Sequence, residues 1–399
     1  MNRIATIARH PAVQAALDAY RREIEAILNQ IIGIQQIPAP TFAEDARAVY
    51  METCFRELGL KDVTRDEFKN VYGRLPGTHS AGRPALVISA HLDTVFNRET
   101  DLSIRRDGDV LYGPGIGDNS TGLAGLVVLA GSLIHHRLIP AADIWFVANA
   151  GEEGLGDLCG MRAVVDRFGS TPIYLVIEGG LYGQLTHQAV GVRRYRIDIS
   201  APGGHSWGGF GAASAIHVLG HLIVAIDNLN VPHTPKTTYN IGLIDGGLSI
   251  NTIASSAQLW LDLRSEADRE LKRLIASLQS IVTAMNHDHA EKGTGVSLTI
   301  EPVGNRPAGS IDRHSPIVTW AEAALLEMGC EHVRYIVSST DANLPLSRGY
   351  QAVCLGLTQS GNSHRMDEYI DIKYLPAGLG QLLLVVLAAA NDKESWNGL

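Results

Sequence analysis

The sequence predicts an α/β protein, a mixed and mostly parallel sheet flanked by helices, interrupted by an inserted α+β domain. Three observations carry this expectation. Short apolar runs at 85–90, 144–149 and 173–177 are bounded by Gly or Pro and read as strands buried on both faces. Helical patterns at 121–135 and 160–168 alternate with them, the grammar of βαβ units. From about Val190 charged and apolar residues alternate instead, and the buried-strand pattern returns only at 351–357.

Taken in order, residues 13–29 and 43–58 carry apolar positions at helical spacing on either side of the Pro38–Pro40 break. The three buried strands and their helices follow. The run 192–200 then reads as a half-exposed antiparallel strand, 212–229 as a helix, 238–244 and 257–263 as strands, 267–285 as a helix and 296–301 as a strand. After the turn at 302–307, the strand 351–357 and an apolar helix at 375–390 complete the pattern. This divides the chain into one domain made of 1–189 and 305–399 and an insertion of 190–304. A length of 399 residues fits more than one domain, since about 100–200 residues per domain is usual.

Composition narrows the function. The chain has 33 Lys+Arg against 42 Asp+Glu, a formal charge of −9, and no basic run longer than a pair, which argues against nucleic acid and anionic membrane as partners. Four cysteines, Cys54, Cys159, Cys330 and Cys354, form no CxxC and fit reduced thiols in a cytoplasmic enzyme. The first 28 residues lack the apolar core of a signal peptide, and the longest apolar stretches, near 123–134 and 382–390, fall short of the ~20 residues a bilayer needs. A soluble, cytoplasmic protein is expected. The 41 glycines cluster around acids and histidines, as tight backbone near a polar site would.

Each of the first three buried strands ends in residues able to hold a metal: His91 and Asp93, then Glu152 and Glu153, then Glu178. In open α/β sheets ligands bind beyond the carboxyl ends of the strands, so these points should converge. Asp118, in the turn Gly113-Pro-Gly-Ile-Gly-Asp118, and His364, after the strand that follows the insertion, join them. Two imidazoles and three of these carboxylates would suit Zn²⁺ or a similar divalent ion, and so many carboxylates would repel one another without cations between them.

His91-Leu-Asp-Thr94, the Gly-rich turn with Asp118-Asn119, Ala148-Asn-Ala-Gly-Glu-Glu-Gly154, Ile177-Glu-Gly-Gly180 and Asn362-Ser-His-Arg365 resemble, in order and spacing, the dizinc metallopeptidases that include peptidase T, glutamate carboxypeptidase, succinyl-diaminopimelate desuccinylase and aminoacylase. The resemblance implies a zinc-peptidase catalytic domain with an inserted lid and dimerisation domain. It makes His91, Asp118, Glu153, Glu178 and His364 the ligands of two divalent ions, Zn²⁺ or else Co²⁺ or Mn²⁺, with Asp118 bridging. It makes Glu152 the general base for a water between the ions, and has Asp93 orient His91. Gly203-Gly-His-Ser206 resembles the lid motif whose histidine reaches a partner subunit's site, so His205 becomes an oxyanion donor in a homodimer. Asn251 and Arg264 resemble lid residues that hold the substrate carboxylate. The implied substrate is a small peptide or N-substituted amino acid with a free carboxylate. The implied activity is that of an exopeptidase of aminopeptidase, carboxypeptidase or tripeptidase type, or else an N-acyl- or N-carbamoyl-amino-acid amidohydrolase.

Two rival readings remain. Gly204-His-Ser-Trp-Gly208 matches the nucleophile elbow of serine hydrolases, with Ser206, Asp341 and His364 in triad order. Against it, the preceding strand carries Arg193, Arg194, Arg196 and Asp198 where an elbow strand is apolar. A non-enzymatic binding module would keep the fold while losing ligands or the base, and here all are present. Asn286-His-Asp-His289 reads as a polar connection, and Cys159 as a small packed thiol near the site. For Thr340-Asp-Ala-Asn343 a substrate role and a structural role both stay open.

Overall fold

The computed structural model describes residues 3–78 and 84–391. The chain divides into two compact units, one comprising Met1–Ala189 and Gly309–Leu399 and the other Val190–Ala308. The second junction falls four residues beyond position 304, because strand Ser297–Arg306 stays paired with strand Gly191–Ser200 to Arg306. A sheet strand cannot leave its ladder without orphaning backbone N–H and C=O groups.

The first unit is built on a mixed sheet, nine-stranded among the described residues. At its centre strand Pro84–His91 lies parallel to both Asp143–Asn149 and Ile173–Glu178, and Ala352–Gly356 adds in parallel beside Ile173–Glu178. Antiparallel strands, Val71–Leu75 at one side and Gln184–Ala189 at the other, extend this core. The central strands are Val-, Ile- and Leu-rich because both faces are covered. Helix Thr121–His135, TGLAGLVVLAGSLIH, is apolar almost all round and correspondingly buried. Helix Leu375–Ala390 is also buried on nearly every side, with Leu382, Leu383, Leu384, Val385 and Val386 wholly covered. Together with the turn before it, this helix spans 19 residues and is long and apolar enough to cross a bilayer by length and composition, yet most of it is buried inside the protein.

The second unit is an antiparallel sheet in the order Thr237–Gly246, Ser256–Ser265, Gly191–Ser200, Ser297–Arg306. Alternation places Tyr195, Ile197 and Ile199 in its core with Leu259, Leu261 and Leu263, while Arg194, Arg196 and Asp198 point the other way. Helices Ala215–Asp227 and Asp268–Glu291 cover the apolar face. In the longer helix Leu271, Leu274, Leu278 and Val282 form the inward stripe, each contributing about 1.5–3 kcal/mol by burial. This helix runs on through Asn286-His-Asp-His289, so that segment is helical and not a connection; Asn286 bonds the backbone of Leu298 through both ends of its amide.

Candidate active site

The parallel register brings four strand ends to one edge of the first unit's sheet: Ala90 pairs with Ala148, His91 with Asn149, and Gly356 with Glu178. The loop bearing Asp118 is tied to the same edge by Asn119, a fully buried residue. The Asn119 amide donates to the Ile177 carbonyl at 2.8 Å and accepts from Gly179 N at 2.9 Å and from Gly122 N at 3.1 Å. One side chain thereby joins the end of strand Ile173–Glu178 to the start of helix Thr121–His135.

Two triads result, His91–Asp118–Glu178 and Asp118–Glu153–His364, in each of which one donor atom per residue lies within 4.8 Å of the others. They share Asp118, and its two oxygens point to different triads. Oδ1 is 3.0 Å from His91 Nε2, and Oδ2 is 3.3 Å from His364 Nε2. His91 Nε2 also stands 3.7 Å from Glu178 Oε2, and His364 Nε2 is 3.1 Å from Glu153 Oε1. Around a tetrahedral ion with bonds of about 2.0–2.2 Å, ligand atoms sit roughly 3.3–3.6 Å apart. Spacing and donor chemistry therefore both fit a divalent cation in each triad.

The electrostatics make the same demand. Burial alone would lower the His91 pKa, but hydrogen bonds with Asp118, Asp93 and Glu178 outweigh it and hold the imidazole well above its ordinary value. Hydrogen bonds to Asp118 and Glu153 push His364 up to about 10. Asp118 is held far below the usual carboxylate range: burial opposes this, and His364 and His91 overcome it. Glu178 goes the other way, raised to about 7 by burial against the pull of His91. The cluster thus favours positive charge at its centre, which the imidazoles provide as protons and a metal would provide more strongly.

Asp93 faces His91 in two ways: its carboxylate lies 3.6 Å from His91 Nδ1, and its backbone carbonyl is 3.0 Å from the same nitrogen. The Asp93 oxygens accept from Glu152 N and Glu153 N, both at 2.9 Å, and from Thr41 Oγ1 at 2.9 Å. Asp93 therefore holds the Glu152-Glu153 turn as well as backing the histidine. Buried Arg47 donates to the carbonyls of Ile37 and Leu92 and so ties the segment between His91 and Asp93 to the end of the first helices. Glu152 is buried in this turn next to Glu153. Asp341, also buried, accepts from Asn149 Nδ2 at 2.7 Å.

His205, Asn251 and Arg264 belong to the second unit. His205 lies in a two-residue strand paired with Thr252–Ile253, and Ser206 N donates to the Asn251 carbonyl, so His205 and Asn251 are neighbours. The His205 Nδ1 accepts from Trp207 N and Gly208 N, at 3.2 and 3.3 Å. Arg264 lies on strand Ser256–Ser265 and grips Asp262 through Nε at 2.7 Å and Nη2 at 3.3 Å; Asp262 also receives Arg194 Nε at 3.1 Å. The serine-hydrolase reading fails on geometry. The helix after Ser206 begins only at Ala215, and within the first unit Asp341 and His364 are engaged with different partners.

Asn119 was legible only as the neighbour of Asp118 in the Gly-rich turn, and Thr41, Arg47 and Glu368 were not singled out at all. Glu368 is completely buried and accepts three backbone N–H groups of the loop around Asp118. Its only signal in the sequence was an acid four residues after His364.

The model of peptidase family M20/M25/M40 matches residues 87–388. A probable carboxypeptidase of Aspergillus clavatus is 27% identical over 219 residues, 48% of this chain and 47% of its own. The chain spans about half the length of the fungal relatives it matches. An N-formyl-4-amino-5-aminomethyl-2-methylpyrimidine deformylase of Bacillus subtilis is 23% identical over 413 aligned residues, covering 91% of this chain and 94% of its own. Among solved structures, a tripeptidase from Staphylococcus aureus superposes with a TM-score of 0.76 at 22% identity, covering 92% of this chain and 98% of its own. That likeness is one of fold.

Proposed function

The chain belongs to peptidase family M20/M25/M40, a family of metal-dependent hydrolases, and from that premise we propose that it hydrolyses an amide bond in a small peptide or N-substituted amino acid with a free carboxylate, as an exopeptidase. The observation that carries this reading is the pair of triads meeting on opposite oxygens of Asp118. His91, Asp118 and Glu178 would hold one divalent ion, Zn²⁺ being the simplest choice for this donor set, and Asp118, Glu153 and His364 a second. When bound, such ions polarise the scissile carbonyl and acidify water.

This chain's own residues do the rest. Glu152 takes the proton of the attacking water and delivers it to the leaving nitrogen, with its backbone held by Asp93. His205, supplied by a second copy, donates to the developing oxyanion, worth about 3 kcal/mol on the scale of such donors. Asn251 and Arg264 receive the substrate carboxylate; Asp262 holds the guanidinium through Nε and Nη2 and leaves further N–H donors for it. A homodimer through the second unit is supported by exposed Trp207, Phe210, Leu248 and Ile250, and by Leu243 and Ile244 on Thr237–Gly246, a strand paired along one side only among the described residues. A cytoplasmic location is supported by the four free cysteines.

A second reading, hydrolysis of an N-acyl, N-formyl or N-carbamoyl group by the same machinery, is favoured by the deformylase, a relative aligned over 94% of its own length. One panel separates the two: metal-reconstituted protein assayed against dipeptides, tripeptides and N-acetyl, N-formyl and N-carbamoyl amino acids. Turnover of peptides that is abolished by chelation and by Glu152→Gln supports the exopeptidase. Turnover of the N-substituted compounds alone selects the second reading, and activity indifferent to chelation defeats both.

A further inference from the structure

Glu368 follows His364 by four residues and precedes strand Tyr369–Asp371, and no step above uses it. Its side chain is 0% exposed. Oε1 accepts from Gly117 N at 2.8 Å and Asp118 N at 2.9 Å, Oε2 from Gly115 N at 3.1 Å, and its main-chain carbonyl from Gly113 N at 2.8 Å. One acid thus gathers four N–H groups of the Gly-rich turn. Withdrawing a carboxylate from water is costly unless it is well satisfied, and here the backbone donors offset part of that cost. The turn is shaped to admit it: a Cβ on Gly117 would stand 3.2 Å from Oε1 and 3.1 Å from the Ser360 Cβ.

We propose that Glu368 is a positioning residue for the shared carboxylate, fixing the Gly115–Asp118 backbone so that the two Asp118 oxygens stay aimed at opposite triads. The inference rests on the two-ion reading above. Both Glu368 oxygens are engaged by backbone N–H groups, so its part is played through the Asp118 backbone. An Asp118 free to swing can still serve one triad, because a single oxygen suffices there. Serving both at once requires the backbone itself to be held, so the effect of losing Glu368 falls on the second ion bound.

The test is a calorimetric Zn²⁺ titration of chelator-stripped full-length protein, with ion content checked by mass spectrometry, for wild type, Glu368→Gln and Gly117→Ala. The substituted amide would present an NH₂ group to at least one backbone donor while keeping the size of the side chain. Wild type should bind two ions per chain. Glu368→Gln should bind the first within about threefold of wild type and the second at least about tenfold more weakly, in the range by which groups behind metal ligands act. Its kcat should fall at limiting Zn²⁺ and recover with excess, at unchanged KM. Gly117→Ala, which crowds the carboxylate without removing it, should reproduce the selective loss. A second ion bound as tightly as in wild type overturns the proposal. Equal weakening of both ions with a lowered unfolding temperature, the mark of a merely structural residue, also overturns it. Should Glu368→Gln fail to fold, Gly117→Ala decides by the same criteria. A wild-type stoichiometry of one ion overturns the two-ion reading itself, and the positioning role with it.

Discussion

Replacing Asp93 by Asn tests how the Glu152-Glu153 turn is held. The native carboxylate gives one oxygen to each of the two backbone N–H groups. Asparagine has one acceptor oxygen, so its NH₂ must face one of these donors and a charge-assisted bond is lost. Such a bond contributes about 1.5–3 kcal/mol. At about 1.36 kcal/mol per decade, the freed amide should exchange its hydrogen roughly 10- to 150-fold faster. The assay is hydrogen–deuterium exchange of the segment holding Glu152 and Glu153, in metal-free protein so that bound ions do not mask the opening, with kcat of the reloaded enzyme alongside. Thr41→Val, which removes only the hydroxyl on Asp93 Oδ2, should leave both amides protected. If Asp93→Asn leaves exchange and kcat at wild-type values, the turn is held by something else and the role assigned to Asp93 is wrong.

Ion binding should depend on pH through His364. Its folded pKa of about 10 lies above the ordinary ~6.5, so in metal-free protein the protonated ring stabilises fully below about pH 6.5 and loses that contribution as pH rises through about 10. A metal must expel this proton, so apparent Zn²⁺ affinity should fall by up to about tenfold per pH unit on acidification, with proton release visible in buffers of different ionisation enthalpy; an affinity flat between about pH 6 and 8 contradicts this. Arg264→Ala should raise KM for carboxylate-bearing substrates with kcat little changed, and an unchanged KM removes Arg264 from the binding site. Gly179→Ala would place a methyl 2.1 Å from the Gly117 carbonyl and 2.8 Å from the Thr121 Cβ; it should destabilise the first unit by about 1–3 kcal/mol and weaken ion binding, measured by denaturant unfolding and calorimetry.

The positions that form the two triads were legible because of a simple rule of open sheets. His91, Glu153 and Glu178 follow apolar runs that can only be central strands, and parallel register carries their ends to one edge. What could not be read were contacts between segments that meet only after folding. Glu368 and Asp118 are 250 residues apart in sequence, and no local pattern distinguishes this acid from its exposed neighbour Asp367. Asp93 was legible as a conspicuous acid beside His91, but its bonds to Glu152 N and Glu153 N were not, because no local pattern ties it to the turn after another strand. The boundary at 304 was misplaced for a similar reason. The Pro302–Pro307 stretch looks like a linker, yet a register irregularity between Pro302 and Gly304 lets the strand absorb the proline and continue.

The discontinuity of the first unit also sets an order of assembly during synthesis. His91, Asp118 and Glu178 have all been made once residue 178 leaves the ribosome, whereas His364 comes 186 residues later. At about 5–20 residues per second, that is a delay of roughly 10–40 s. Strand Ala352–Gly356, which covers the flank of Ile173–Glu178, arrives in the same late segment. Until then the nascent chain carries a half-finished sheet with an open apolar edge and, at most, a one-ion site beside it. Translation pauses or truncations between residues 178 and 352 should therefore yield chains that aggregate through that edge, and a cell making this protein has reason to shield it with a chaperone over that interval.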